Sequence, residues 1–238
     1  MDNKDNKDNK DKKDKKDKKY KILRKQVNWN NLWFYRKALT VFQLTTVFTK
    51  RFLPLHGDRT VDQMVQAARS GKQNIVEGSA DGVTSAEMEI RLINVARASI
   101  QELQEDYSDY LLSHKLPLWD SRHNRFDGML EFCREHNDVE DYEPYFDSWS
   151  DEEMANIGYT LCRMTDKMMM TYITNLESDF ITEGGIKERM TAARLGYRAD
   201  KKEELAAANK EIASLKAEIQ RLNTIIAQLK QELSSKSS

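Results

Sequence analysis

The sequence predicts an all-α protein: an antiparallel four-helix bundle, then a short suffix helix and a C-terminal coiled coil. Three observations predict this class. The 238 residues include only three prolines and nine glycines, so little interrupts a helix. Charged residues make up 32% of the chain and the mean hydropathy is −0.77, as expected for long solvated helices. Runs of Val, Ile and Thr with period-two alternation, which indicate strands, are missing.

The first two bundle helices are predicted over about residues 28–53 and 60–78. Apolar residues between Leu32 and Phe42 recur at steps of three and four, which places them on one helical face. Pro54 and Gly57 then end the first helix. Thr60-Val61-Asp62-Gln63 has the pattern of a capping box and predicts the start of the second helix.

The third and fourth bundle helices are predicted over about 84–113 and 150–183. Each opens on a capping-box pattern, Thr84-Ser85-Ala86-Glu87 and Ser150-Asp151-Glu152-Glu153. The third helix carries two adjacent apolar stripes, so we expect it to touch several neighbours in a bundle that also oligomerises. The stripes are Met88, Leu92, Val95, Ser99 and Leu103, and Ile93, Ile100, Tyr107 and Leu111.

Three further segments complete the predicted domain organisation. Residues 1–19 repeat Asp-Asn-Lys and Asp-Lys-Lys triplets without an apolar residue after Met1, which predicts a disordered arm. An acidic insert over 118–149 interrupts the bundle segment 20–183 and should hold one short helix near 125–136. The suffix helix is predicted over 184–200, starting at Ile186 after Gly184-Gly185 and ending near Tyr197.

The C-terminal segment 201–238 carries the strongest coiled-coil signal. Leu205, Ile212, Ile219, Ile226 and Leu233 share one heptad position, and Ala208, Leu215, Leu222 and Leu229 share the position three residues later. Ile at a with Leu at d favours parallel dimers, whereas apolar Ile225 at g broadens the seam toward higher order. Glu211 and Lys216 have the g-to-e spacing of an interchain ion pair. The alternative is an amphipathic helix that folds back on the bundle.

Charge is segregated along the chain despite a net charge of −1. Residues 20–60 contain eight Lys and Arg against the single Asp58, whereas residues 120–160 contain three Arg against twelve Asp and Glu. Such polarity serves either a polyanionic partner or contacts between copies of the chain.

Two stretches with small residues resemble a known family. They are Gln63–Gly71, continuing into Asn74-Ile75-Val76-Glu77-Gly78, and Met88–Leu103. These stretches are similar to the bacterial four-helix-bundle family that includes the protein of 23S ribosomal RNA intervening sequences and the accessory variability determinant of diversity-generating retroelements. Glu183-Gly184-Gly185-Ile186 to Arg194 resembles the suffix region of one branch. The likeness covers about residues 28–198.

The resemblance implies a ring-like homo-oligomer, commonly pentameric, with a basic surface that engages RNA or DNA. It also implies partnership with a reverse transcriptase when the gene lies in a diversity-generating retroelement. A dimer-preferring coil cannot simply continue a fivefold axis, so the coil either adapts to the ring or pairs with something else.

A basic face on helix one is the predicted nucleic-acid-binding site. Arg36, Gln43 and Lys50 lie seven residues apart and therefore share one side of the helix. A row of cations near aromatic residues is what phosphates and unpaired bases require. A solvated helix face, or pairing with the acidic insert of a neighbouring subunit, explains the same pattern. The predicted binding residues are Lys21, Arg24, Lys25, Arg36, Lys37, Lys50 and Arg51.

Catalytic and cofactor sites are not predicted. No serine or cysteine has the context of a nucleophile, and no Gly-rich phosphate loop occurs. His123, Cys133 and His136 form the only metal-like spacing, for which surface histidines and a half-buried thiol are the alternative. Two cysteines make no disulfide framework, and no apolar run suits a membrane, so a cytoplasmic location is expected.

Two functions follow from the sequence. The first is a non-enzymatic, homo-oligomeric accessory protein that binds nucleic acid through the helix-one face and assists a reverse transcriptase. The alternative is a purely structural oligomerisation or adaptor module without nucleic-acid binding.

Overall fold

A computed structural model describes residues 20, 22–53 and 59–236, with side chains through residue 231, and these residues form helices and no strand. The all-α class is therefore confirmed. The predicted arm over 1–19 lies outside the described residues. The chain divides into two compact units: Leu23–Ile186, called here the core unit, and a terminal unit of Met1–Ile22 together with Lys187–Ser238.

The described residues contain seven α-helices and two short 3₁₀ turns. The 3₁₀ turns are Trp29–Asn31 and Glu143–Tyr145. The helices are α1 (Trp33–Phe52), α2 (Arg59–Asp81), α3 (Ala86–Ser113), α4 (Phe126–Glu135), α5 (Val139–Tyr142), α6 (Asp151–Glu183) and α7 (Ile186–Lys236).

Capping interactions set several of these boundaries. Ser150 caps α6 as predicted, because its hydroxyl accepts from the Glu153 backbone N–H while the Glu153 carboxylate accepts from the Ser150 N–H. The predicted cap at Thr84 is wrong by one residue: Ser85 has the extended backbone of a cap and accepts from the Met88 N–H at 3.1 Å. Helix α2 begins at Arg59, so Thr60 lies inside its first turn.

Helix α2, which was predicted to end at about residue 78, continues through Gly78 to Asp81. A Cβ atom at Gly78 would lie 3.2 Å from the Leu92 Cβ and 3.3 Å from the Ile93 Cδ1. The glycine therefore serves the close approach of α2 to α3. Gly71 serves the same approach two turns earlier in α2, where a Cβ would lie 2.8 Å from the Ile100 Cδ1. Both glycines thus let the backbones of α2 and α3 lie close together.

The four long helices of the core unit bury one continuous hydrophobic core. Helix α1 packs against α2 and α6, and α3 packs against α2 and α6. In α3 the stripe from Ile93 to Leu111 is fully buried, whereas Met88 and Val95 of the other stripe are exposed. The side chains buried completely at the centre include Leu44, Phe48, Met64, Ile75, Ile93, Ile100, Leu103, Tyr107, Met154 and Leu161.

Tight packing around Gly158 of α6 gives a first testable prediction. A Cβ at Gly158 would lie 2.6 Å from the Cε2 and 2.8 Å from the Cε1 of Tyr107. Tyr107 cannot retreat easily, because Phe48 packs edge-on against its ring and its hydroxyl lies 2.9 Å from the Thr45 hydroxyl. We expect Gly158→Ala to lower the free energy of unfolding by about 1–3 kcal/mol in urea denaturation.

Gly128 in α4 is the matched control, since nothing lies within 4 Å of a Cβ built there. Gly128→Ala should raise the free energy of unfolding by about 0.5–1 kcal/mol through helix propensity alone. Equal stabilisation by both substitutions would show that α6 and α3 are not packed as described.

The acidic insert is more ordered than expected. The predicted short helix is present as α4, and α5 and the following 3₁₀ turn are additional to the one helix predicted for the insert. Aromatic contacts hold this segment together: Phe132 meets Tyr142 edge-on at 5.1 Å between ring centres, and Tyr145 stacks on Trp149 at 5.3 Å. Helix α4 packs against α6 and α5 packs against α1, so the insert lies against the core unit's own helices.

The terminal unit is dominated by α7, which is one helix where the sequence predicted a suffix helix and a separate coil. No glycine or proline stands between Tyr197 and Lys236 to interrupt it. Of the N-terminal residues of this unit, the structure describes Tyr20 and Ile22, and both contact the first turns of α7. The Tyr20 ring meets Tyr197 edge-on at 6.1 Å, the Tyr20 hydroxyl donates to Asp200, and Arg189 Nε donates to the Ile22 carbonyl at 3.0 Å.

Candidate interaction surfaces

The basic residues predicted as one nucleic-acid face mostly have partners inside the chain. Arg36 makes a two-pronged ion pair with Asp138, which precedes α5. Arg51 donates to the Phe146 carbonyl, and the same nitrogen lies 3.4 Å from the Met154 sulfur. The ion pair of Arg36 with Asp138 therefore joins helix one to the acidic insert within one chain, where pairing with a neighbouring subunit was the predicted alternative.

Lys37 is buried, which corrects its predicted place on an exposed face. Only 3% of the residue is exposed, and its Nζ donates to the Cys133 carbonyl and, at 3.0 Å, to the His136 carbonyl. These are carbonyls at the C-terminal end of α4, where a helix leaves acceptors unsatisfied. Burial lowers the pKa of Lys37, against the opposing effects of Cys133 and Asp141. Lys37 therefore anchors the insert to α1.

Arg24 belongs to a buried polar cluster. Its Nη1 donates to Glu89 Oε2 at 3.0 Å, and the Tyr172 hydroxyl donates to Glu89 Oε1 at 2.6 Å. Glu89 is only 2% exposed, and burial raises the pKa of its carboxyl despite hydrogen bonds from Tyr172 and Arg24. The backbone N–H of Arg24 also donates to the Val83 carbonyl at 3.1 Å. This arginine ties the segment before α1 to the α2–α3 turn.

Two of the seven predicted residues remain exposed without a described ion-pair partner. They are Lys25, ahead of α1, and Lys50 in the last turn of α1. Lys21 lies outside the described residues. The described residues therefore do not present the predicted row of free cations along helix one.

The predicted coiled-coil positions form an exposed apolar stripe on α7. Every described side chain from residue 201 to 231 is exposed. The seven predicted interface residues with described side chains are 48–62% exposed, and Ile225 beside them is 41% exposed. Leu233 lies beyond the described side chains. The seven are Leu205, Ile212, Leu215, Ile219, Leu222, Ile226 and Leu229.

The proposed metal-like spacing does not form a metal site in the structure. Among the described residues, no group of three or more His, Cys, Asp or Glu side chains is arranged to hold a metal ion. The Trp119 ring stacks on His123 and the Phe132 ring stacks on His136. Cys133 is buried, and burial raises its pKa to about 11, so the thiol form dominates at neutral pH.

Comparisons with protein-family models, with curated proteins and with solved structures find no match to this chain. Among the helices of the described residues, none combines the length and the apolar character that crossing a membrane requires.

Proposed function

We propose that this protein is a non-enzymatic, self-assembling module whose copies join through a parallel coiled coil of α7. The observation that carries the proposal is the stripe of exposed Ile and Leu residues on α7, which recur at heptad spacing. Every described side chain of this helix from residue 201 to 231 is exposed. An exposed apolar stripe of this length costs free energy in water until another surface covers it.

A second copy of α7 is the occupant that fits this stripe. Knobs-into-holes packing requires the same 3.5-residue repeat on both helices, and a second copy supplies it in register. Glu211 of one copy would then reach Lys216 of the other at g-to-e spacing. We further propose that α1, α2, α3 and α6 form an antiparallel four-helix bundle of the family type that the sequence resembles. The cyclic order of helix contacts in the core unit supports this.

Of the two functions predicted from the sequence, the structural module is the better supported. The nucleic-acid function was tied to helix one, and Arg36, Lys37 and Arg51 have partners there within the chain. Higher-order assembly, including the pentamer that the resemblance implies, remains compatible with the proposal through apolar Ile225 at g. A reverse transcriptase partner stays a prediction of the resemblance.

Analytical ultracentrifugation of the full chain tests the proposal. We expect a defined oligomer at micromolar concentration and a monomer after Ile219→Asp, because a charge in the seam cannot be buried unpaired. Thr224→Asp is the matched control, since it adds the same charge at the outward-facing f position. A monomeric wild-type chain, or equal dissociation by both variants, would refute the proposed role of α7.

Disulfide trapping tests the orientation of the coil. Leu222 occupies a d position, so in a parallel pair the two copies of residue 222 face each other across the seam. A Leu222→Cys variant should therefore cross-link into covalent dimers on mild oxidation, whereas Thr224→Cys should cross-link far less. Oligomers that form without the Leu222→Cys cross-link would refute the parallel arrangement.

A further inference from the structure

We infer that a groove in the core unit docks an acidic amphipathic helix of a partner protein. The groove has a volume of about 610 Å³, and residues of α1, α4 and α6 line it. No residue of α7 occurs among the described residues that line the groove. The inference therefore goes beyond the proposed self-assembly and does not depend on it.

Apolar side chains that are only partly covered line this groove. Trp33 of α1 is 55% exposed, an unusual exposure for so large an apolar side chain. Leu130 of α4 and both Met164 and Met168 of α6 are half-buried. Methionine side chains adapt to partners of different shape. A partner that excludes water from these side chains gains free energy of binding.

Three cations without a described ion pair share the groove with this apolar surface. Arg134 lies on α4, while Arg163 and Lys167 lie one turn apart on α6. All three are exposed, and none makes a salt bridge among the described residues. No Asp or Glu occurs among the described residues that line the groove. A partner with carboxylates beside its apolar face therefore complements the groove in charge.

A helix fits this groove better than an extended peptide or a fatty acid. Extended peptides gain affinity by adding a strand to the edge of a sheet, and the described residues form no strand. A helix satisfies its own backbone hydrogen bonds and presents one apolar face to a groove. Carboxylates one turn apart on that helix match Arg163 and Lys167. A fatty acid has one carboxylate for three cations.

Fluorescence anisotropy with the full chain and a labelled helical peptide tests the inference. The peptide is about 18 residues long, with leucines at steps of three and four residues and glutamates beside them, so that the helix has one apolar face and acidic flanks. We expect binding that weakens with salt, because ion pairs at an exposed rim are screened. Replacing the glutamates with lysines should weaken binding at least about tenfold through like-charge repulsion. A scrambled peptide should bind equally weakly, because it has no apolar face.

A charge reversal in α6 tests the location. Arg163→Glu removes one cation and places a carboxylate four residues before Lys167, where the two pair within α6, so peptide binding should weaken about fivefold or more. Arg91→Glu on α3 is the matched control, because it makes the same change of charge at an exposed residue outside the groove that has no described ion pair. Equal weakening by both variants would overturn the site.

Trp33→Ala tests the apolar contact. The substitution should weaken binding of the acidic peptide about tenfold or more, as expected for a tryptophan anchor in an interface. The unfolding midpoint should stay near the wild-type value, because this side chain is 55% exposed in the free chain. Unchanged binding would overturn the docking of an apolar face. If the variant is unstable, Arg163→Glu and Arg91→Glu still decide the location.

Two further measurements separate this groove from α7 and from a second copy. Ile219→Asp should bind the acidic peptide as tightly as the wild-type chain; lost binding would mean that the peptide pairs with α7 and would overturn the site. Arg163→Glu should keep the wild-type mass in analytical ultracentrifugation, whereas a lower mass would assign the groove to a second copy. A wild-type chain that ignores the acidic peptide, or that binds polyglutamate as tightly, would overturn the proposed partner.

Discussion

Replacing Arg24 with methionine is expected to lower the free energy of unfolding by about 3–5 kcal/mol at pH 7, the range for removing one partner of a buried ion pair. The substitution leaves the Glu89 carboxylate, which is 2% exposed, with the Tyr172 hydroxyl alone. Urea denaturation at a fixed protein concentration measures the loss, because the stability of an assembling protein depends on concentration.

The loss should shrink in acid. Burial raises the pKa of Glu89 above its ordinary value of 4.5, so the folded state holds this proton more tightly than the unfolded state. That contribution to stability is fully present below pH 4.5 and is lost as the pH rises through the raised pKa of the folded state. Without Arg24 the pKa rises further, so the penalty should grow toward neutral pH and fall toward pH 4.5.

Glu89→Gln supplies the matched background for this experiment. In that background the side chain carries no charge, so Arg24→Met should cost much less than it does in the wild-type chain, and the pH dependence should flatten. An equal loss in both backgrounds would mean that Arg24 acts through its backbone contact with Val83 or through Asp179, rather than by compensating the Glu89 charge.

The helices were predictable because their signals are local. Ser150 and Glu153 stand three residues apart, and the capping box that they form requires only that spacing. The end of α6 was equally predictable, because a glycine commonly marks the end of a helix. The structure shows why: Gly184 has a φ of 75°, a backbone conformation that favours glycine. Helix α5 was missed because four residues are too few to display a helical period.

The partners of helix one were not predictable because they are distant in sequence. Lys37 and the Cys133 carbonyl are 96 residues apart, and Arg36 and Asp138 are 102 apart. Position on a helical face predicts which residues share a side but not what covers that side. The insert carried a signal that it packs, namely the aromatic residues that its helices and turn bring together within an acidic segment. Charge alone suggested a polyanionic partner or a contact between copies.

Replacing Lys37 with methionine is expected to lower the free energy of unfolding by about 2–3 kcal/mol and to loosen the insert. Methionine fills similar space, but the Cys133 and His136 carbonyls lose the charged donor that satisfies them at the end of α4. Some of that loss is offset because the buried ammonium no longer has to be desolvated. Urea denaturation measures the stability, and limited trypsin digestion at Arg122, Arg125 and Arg134 reports the loosening.

Lys50→Met is the matched control, since Lys50 lies on the same helix, is exposed and has no described ion pair. This substitution should change the free energy of unfolding by less than about 0.5 kcal/mol. The pH profile separates the two lysines further. Burial lowers the pKa of Lys37 below 10.5, so the unfolded state binds its proton more tightly and wild-type stability rises with pH between the lowered pKa and 10.5. Lys37→Met should remove this rise, whereas Lys50→Met should keep it. Identical stability, digestion and pH profiles for both variants would show that Lys37 does not anchor the insert to α1.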